Sequence, residues 1–335
     1  MATQPDVVRV KEKHKLEILA MPNVVGVGVG YKVSGRTKTS EISVIALVRQ
    51  KVPRAGLEPE AVVPSQVDGV STDVVEVGDL RAQQAPTSRW RPAPGGVSIG
   101  HVRVTAGTLG CVVRARSGVR LILSNNHVLA NSNDANPGDA ILQPGAVDGG
   151  REPDDAIALL ERFCPIEFSE APGSCSWARA VVAVGNALAR LLGSRHRLET
   201  YWTNPQAVNL VDAAVARPLD DRSVSDDILG IGAVTGTAPA ELAMRVRKSG
   251  RTTGLTAGEI TVLHTTVSVG YGPGHTAQFE DQIVSGPMSS PGDSGSLLVS
   301  ADGPLAVGLL FAGSDQATIY NPIRAVLDCL EVTIG

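Results

Sequence analysis

Aromatic residues are scarce, with Phe, Trp and Tyr making up 3% of the 335 positions. The core is therefore aliphatic and, with Val, Gly and Pro punctuating the chain throughout, β-rich. No charge of one sign accumulates: the formal net charge is −4, which makes no case for nucleic acid or an anionic membrane as a partner. Long apolar runs are also missing. The longest, Trp177 to Leu192, carries Arg179 and Arg190 and is too short to span a bilayer. Met1-Ala2-Thr3-Gln4-Pro5-Asp6 lacks the basic start and apolar run of a secretory signal. Cys111, Cys164, Cys175 and Cys329 have no metal-ligand spacing and read as small core residues, so a reducing cytoplasm is expected and no metal or cofactor.

What is present is enough chain for two or three folded units. Val7 to Met21 reads as an amphipathic helix with Val10, Leu16, Leu19 and Ala20 on its apolar side. Strands follow at Val24–Lys32 and Glu41–Val48, and a last one at Val74–Val77, so residues 1–80 form a small α+β unit without catalytic residues. Gly26, Gly28 and Gly30 do not make a dinucleotide loop, because Tyr31 stands where the third glycine belongs and a strand follows instead of a helix. They are expected to face the helix. His14 on that helix is expected to be solvated. Residues 81–96 read as a Pro/Gly-rich linker with Arg89 and Arg91 exposed.

From Ile99 onward short aliphatic strands alternate with turns, at 110–113, 120–123, 156–160, 208–211, 245–247, 260–263 and 306–311. Such spacing without crossover helices indicates a barrel or sandwich. One segment breaks the pattern: Ser176 to Leu192 has helical period, with Trp177, Val181, Val184, Leu188 and Leu191 on one stripe, and reads as an insertion. A second helix is expected from Pro322 to Leu330.

Near the end stands Pro291-Gly292-Asp293-Ser294-Gly295-Ser296. Glycines on either side allow a tight turn whose N–H groups point into a cavity, which suits a nucleophilic serine beside donors for an oxyanion. A nucleophile elbow of the α/β-hydrolase kind does not fit, since Ser296 occupies the position of its second glycine and the strand-like Leu297-Leu298-Val299 follows. A serine nucleophile needs a base. Of six histidines, His127 alone follows a buried-type strand and precedes a short apolar step, Val128-Leu129-Ala130.

Ser124-Asn125-Asn126-His127-Val128-Leu129 resembles the histidine segment of bacterial chymotrypsin-like serine proteases, and Pro291-Gly292-Asp293-Ser294-Gly295 resembles their serine segment. Val246 to Gly258, containing Gly250-Arg251-Thr252-Thr253-Gly254, is similar to a strand pair in the second barrel of the streptogrisin and α-lytic protease branch. The three lie in the family's order and cover the chain from about residue 97 to its end; cytoplasmic trypsin-like peptidases and, more distantly, the plant narrow-leaf protein look similar. The resemblance implies a mainly β fold, with two chymotrypsin-like Greek-key barrels at about 97–230 and 231–320, a helical insertion at 176–192 and a C-terminal helix at 322–330, preceded by the α+β unit.

It further implies a serine endopeptidase with Ser294 as nucleophile, His127 as base and an oxyanion hole from the N–H groups of Gly292 and Ser294. For the acid, both Asp155 and Asp212 resemble an aspartate opening a small-residue strand. Asp212 lies 82 residues before Ser294 and Asp155 lies 139, and the shorter interval suits one barrel, so Asp212 is favoured with Asp155 as the alternative. Asp293 needs a cationic partner, expected to be Arg251 or Arg247. Met288 is expected at the base of the primary pocket, with Phe311, Ala312 and Gly313 as its wall. With no charge there, the resemblance implies a small or medium apolar side chain ahead of the cut. Val128, Ser290, Arg247 and Ala257 occupy positions where secreted members carry cysteine, which agrees with cytoplasmic residence. The substrate partner is a protein or peptide. Residues 1–80 and 176–192 are the candidate surfaces for self-association or a regulator, and an interaction scaffold with little turnover is the alternative function.

Overall fold

In the computed structural model of the chain, residues 3–335 are described apart from 36, 54–55, 79–83, 174, 205 and 273, together with the side chains of 171 and 172. The chain divides into two compact units, Met1–Gln84 and Ala85–Gly335.

In the first unit a helix, Gln4–Leu19, covers one face of a sheet ordered Val24–Ser34, Thr37–Val48, Val70–Glu76, Gln66–Val67. The helix buries Val7 and Ile18, not the expected Leu16 and Leu19, which are exposed. Val7, Val10 and Ile18 share one stripe at spacings of three and eight, and this stripe meets Val44, Ala46 and Val70. The glycines differ from expectation too. Val27 and Val29 take the helix-facing phase of the strand, and a Cβ at Gly26 or Gly30 would meet Leu47 or Ile45 on the neighbouring strand. His14 is not solvated but lies between Glu17 and Asp68, at 2.9 and 3.0 Å.

The start of the expected linker, residues 79–83, falls outside the described residues. Its later part is not a linker. Ala93–Gly95 is a fully buried strand that pairs in parallel with Val224–Ile228, and Arg91 donates to the Gln143 side chain and carbonyl.

Two closed barrels make up the second unit, which is mainly β with the chymotrypsin-like double-barrel arrangement. In the first, the order is Ser98–His101, Gly107–Thr108 continuing into Cys111–Ala115, Arg120–Ser124, Ala214–Pro218, Ala156–Phe163, Ala140–Leu142 and back to Ser98–His101. Residues 107–115 form two short ladders, one to each neighbour, and this bend closes the ring without a free edge. In the second, Arg245–Gly250, Gly254–Gly270, Thr276–Ser285, Thr318–Pro322, Leu305–Gly313 and Leu297–Ser300 close in the same way. Ile99, Leu109, Ile122, Ile141 and Ile157 fill the first interior; Val246, Ile260, Ile283, Leu298 and Tyr320 fill the second.

A third cluster joins the barrels. Leu121 and Leu123 from one side and Leu297, Val299 and Leu309 from the other pack with Ile323, Val326 and Leu330 of the C-terminal helix, Ile323–Leu330. A disulfide between Cys164 and Cys329 ties that helix to the end of strand Ala156–Phe163, so these two cysteines are not the unpaired core residues expected. Their separation of 165 positions hid the pairing, which the return of the chain's last helix creates. Cys111 is buried and Cys175 exposed. The insertion helix, Ser176–Leu191, interrupts the stretch of sequence that forms the first barrel, yet its stem strands Glu170–Pro172 and Tyr201–Thr203 extend the second barrel's sheet through Thr276.

Candidate active site

The register of the first barrel decides which carboxylate meets His127. Strand Ala214–Pro218 runs antiparallel to Arg120–Ser124 with Ala214 opposite Ser124, so residues just before the one and just after the other lie at the same end. Asp212 and His127 are those residues. Asp155 precedes strand Ala156–Phe163, which pairs with Ala214–Pro218 in the opposite sense, Phe163 against Ala214 and Ala158 against Pro218. That direction carries Asp155 to the far end, where it accepts from Arg89 at 2.9 Å and from the Arg151 N–H at 3.0 Å.

His127 sits in a single helical turn, Asn126–Leu129, anchored residue by residue. The Asn125 amide donates to the Asp212 carbonyl at 2.7 Å, and the Asn126 amide donates to Asn133 Oδ1 and the Cys164 carbonyl, both at 2.8 Å. His127 Nδ1 lies 2.5 Å from Asp212 Oδ2, and the His127 N–H donates to Oδ1 at 3.2 Å. Asp212 is fully buried. Its N–H donates to Asn321 Oδ1 at 3.0 Å, and the Asn321 amide donates to Gln282 Oε1 at 2.7 Å, so the second barrel holds the segment that carries the acid.

A further group completes the carboxylate's surroundings and was not foreseen. The Tyr271 hydroxyl donates to Asp212 Oδ2 at 2.8 Å, and its ring stands edge-on to the His127 imidazole with centroids 5.8 Å apart. Burial, with the Asp212 charge and hydrogen bond behind it, pushes the Tyr271 phenol well above its ordinary value, so it stays a donor. Its signal in the sequence was weak, a lone aromatic within the turn Gly270-Tyr271-Gly272.

Ser294 reaches the same place because glycines let the barrels touch. A Cβ on Gly107 would lie 2.4 Å from a methyl of Val128, His127's neighbour, and 3.0 Å from the Ser294 carbonyl. A Cβ on Gly295, whose φ is +94°, would collide with Ser124 Oγ at 2.1 Å and the Thr108 carbonyl at 2.3 Å. The Thr108 N–H donates to the Ser294 carbonyl at 2.7 Å, and the Thr108 hydroxyl donates to the Gly292 carbonyl at 2.9 Å. Among the described residues, neither the Gly292 nor the Ser294 N–H has a partner, whereas Asp293, Gly295 and Ser296 all donate. The Ser294 hydroxyl lies 3.5 Å from the Phe311 carbonyl rather than on His127.

Asp293 has a cation, but not one of the expected arginines. Lys248 Nζ lies 3.0 Å from Asp293 Oδ2, with both side chains fully buried. The carboxylate also accepts from the N–H groups of Thr252, Ser290 and Thr253 at 2.8, 3.0 and 3.2 Å, and from the Thr253 hydroxyl at 2.6 Å. Burial alone would raise the Asp293 carboxyl; the Thr253 hydroxyl, the Lys248 charge and the Ser290 N–H outweigh it and hold it below its ordinary value. Burial likewise draws Lys248 down, against the pull of Asp293. Arg251 turns instead to Asp148, with contacts of 2.7 and 2.5 Å. Lys248 was legible in principle, since Val246 and Lys248 share the inward phase of a strand in which the lysine is the anomaly.

Beside Ser294 opens a cavity of about 260 Å³ lined by Ser289, Ser290, Pro291, Leu310, Ala312, Gly313, Ser314 and Asp315. A Cβ on Gly313 would come within 2.7 Å of Ser289 Oγ and narrow it. Ala312 and Gly313 line this cavity. Met288 and Phe311, expected at its base and wall, do not: Met288 is buried in the barrel interior, its sulfur accepting from Ser285 and Tyr320, and the Phe311 ring packs on Phe279 with centroids 4.7 Å apart. Met288 turns into the barrel interior, while Phe311 turns into a separate cluster with Ile166, Ala277 and Phe279, so neither side chain lines the cavity. The expectation of an uncharged lining also fails at Asp315.

No protein-family model matches the chain. Among solved structures it is similar to Nocardiopsis protease, at 18% identity and a TM-score of 0.46, over 72% of this chain and 97% of that one. It is similar to Thermobifida fusca protease A at 16% identity and a TM-score of 0.46, over 72% and 97%. Cellulomonas bogoriensis chymotrypsin gives 16%, 0.44, 72% and 97%. These structural neighbours are bacterial chymotrypsin-like serine proteases. The likeness is one of fold.

Proposed function

We propose that the chain is a serine endopeptidase that cuts through an acyl-enzyme, with Ser294, His127 and Asp212 as its triad. The observation that carries this reading is the buried Asp212 carboxylate on His127 Nδ1 beside a serine turn with two unengaged N–H groups. Asp212 would hold the imidazole in the tautomer that leaves Nε2 free to accept the serine proton. The Ser294 oxygen would attack the scissile carbonyl, and the Gly292 and Ser294 N–H groups would receive the developing oxyanion. His127 would then return the proton to the leaving amine.

Past Leu310 the edge of strand Leu305–Gly313 that faces Ser294 has no ladder partner among the described residues, whereas its other edge pairs with Thr318–Pro322. A substrate strand added at 311–313 would lay its side chain ahead of the cut into the neighbouring cavity. The volume and the Leu310 and Ala312 surface favour a small or medium apolar side chain there. A peptide library with a basic preference would overturn that and single out Asp315.

The second reading, an interaction scaffold with little turnover, draws on the orientation of the Ser294 hydroxyl toward Phe311. Catalytic hydrogen bonds often tighten only around substrate, so labelling decides between the two. A fluorophosphonate probe should mark Ser294 and fail on Ser294→Ala; an unlabelled wild-type protein would favour the scaffold. Cytoplasmic residence is a separate proposal. A reducing cytosol would open the Cys164–Cys329 bond, so thiol titration of protein taken from its own cell tests it.

A further inference from the structure

The insertion helix has no buried residue, and its apolar stripe faces away from its own support. Trp177, Val181, Val184, Leu188, Leu191 and Leu192 are each between 55% and 84% exposed. On the opposite side the helix leans on its return segment: the Asn186 side chain accepts from the Leu198 N–H at 2.8 Å and donates to its carbonyl at 2.9 Å, and Gly185 lets Leu198 come close. The stripe is therefore neither core nor cover for its own domain. Six such side chains present on the order of several hundred Å², approaching the ~800 Å² that one partner contributes to a specific interface.

We infer that this stripe is the contact through which two copies of the chain pair, helix against helix. The spacing from 177 to 191 is four, three, four, three, which fits the seam of a coiled coil, and Arg179 and Arg190 alone fall short of the Lys/Arg-rich polar face of a helix lying on a bilayer. Ala178, Ala180 and Ala187, which flank the seam, are small and uncharged, so two backbones approach closely and no like charges meet. Arg179 and Arg190, the helix's charged residues, project from the far side. A second copy offers an identical seam, and two-fold pairing closes the assembly with nothing left exposed to propagate.

Analytical ultracentrifugation of the full chain tests this, with the double variant Val184→Glu/Leu188→Glu for comparison. Both positions are solvent-exposed, so the variant should keep its melting temperature and its hydrolysis of small peptides. The wild type should sediment as a dimer or larger closed oligomer at micromolar concentration. The variant should be monomeric, with association weakened at least about 10-fold per substitution. Arg179→Glu, on the opposite side, should still assemble. A monomeric wild type, an associating double variant, or a monomeric wild type that binds phosphatidylserine vesicles through this stripe would each overturn the inference.

Discussion

Replacing Lys248 by methionine isolates the interaction that shapes the serine turn. The change keeps the volume of the stem and removes its charge, leaving Asp293 buried with only the N–H groups of Thr252, Thr253 and Ser290 and the Thr253 hydroxyl. Stranding one member of a buried pair typically costs about 3–5 kcal/mol. Protonation sets a ceiling, because neutralising a carboxyl of ordinary pKa near 4 takes about 4 kcal/mol at pH 7 and about 1.5 kcal/mol at pH 5. The expected loss at pH 7 is therefore about 3–4 kcal/mol, or roughly 6–16 °C in the melting temperature of the second unit. The pH dependence carries the diagnosis. In the wild type the Asp293 carboxyl is held low, so its contribution is present above the unfolded value near 4 and is lost as pH falls through the lower folded value. In the variant the folded value is raised, so the deficit should shrink as pH falls from 7 to 5. Calorimetry of both proteins across that range measures it. A deficit under about 1 kcal/mol at pH 7, or one that widens toward pH 5, would refute the reasoning.

Asp212→Ala should lower turnover of a peptide substrate by about 10⁴, while Asp155→Ala stays near the wild type. Tyr271→Phe removes a hydrogen bond to a charged group, worth about 1.5–3 kcal/mol. Its loss should lower kcat/KM for a peptide substrate at least about 10-fold; an unchanged kcat/KM would assign Tyr271 to packing alone. Gly107→Ala should cut turnover of peptide substrate at least about 10-fold by forcing Val128 and the Ser294 carbonyl apart. A dithiol reductant should destabilise the second unit by about 3–5 kcal/mol, given the long loop the disulfide closes. Cys164→Ser should already show that loss and be insensitive to the reductant in the same denaturation assay.

Local chemistry was enough to read several parts from the sequence. A serine between glycines, a histidine behind an aliphatic strand and strands at short regular spacing are patterns written within a few residues of one another, and each reflects a backbone or burial requirement met locally. Pairings across long intervals were not legible in that way. Asp212 and Asp155 open similar strands, and what separates them is strand direction, which brings one to His127 and carries the other to the opposite end of the barrel. Lys248 rather than Arg251 meets Asp293 because alternation on strand Arg245–Gly250 turns the lysine inward, while Arg251 lies past the strand's end and reaches Asp148. Tyr271, the Cys164–Cys329 bond and the outward stripe of the insertion helix belong to the same class. Sequence alone determined which residue types could do chemistry and where the helices and many of the strands would form, because those depend on neighbours along the chain. Only the tertiary structure decided which of them meet, because register and barrel closure, not proximity in sequence, set the distance between side chains.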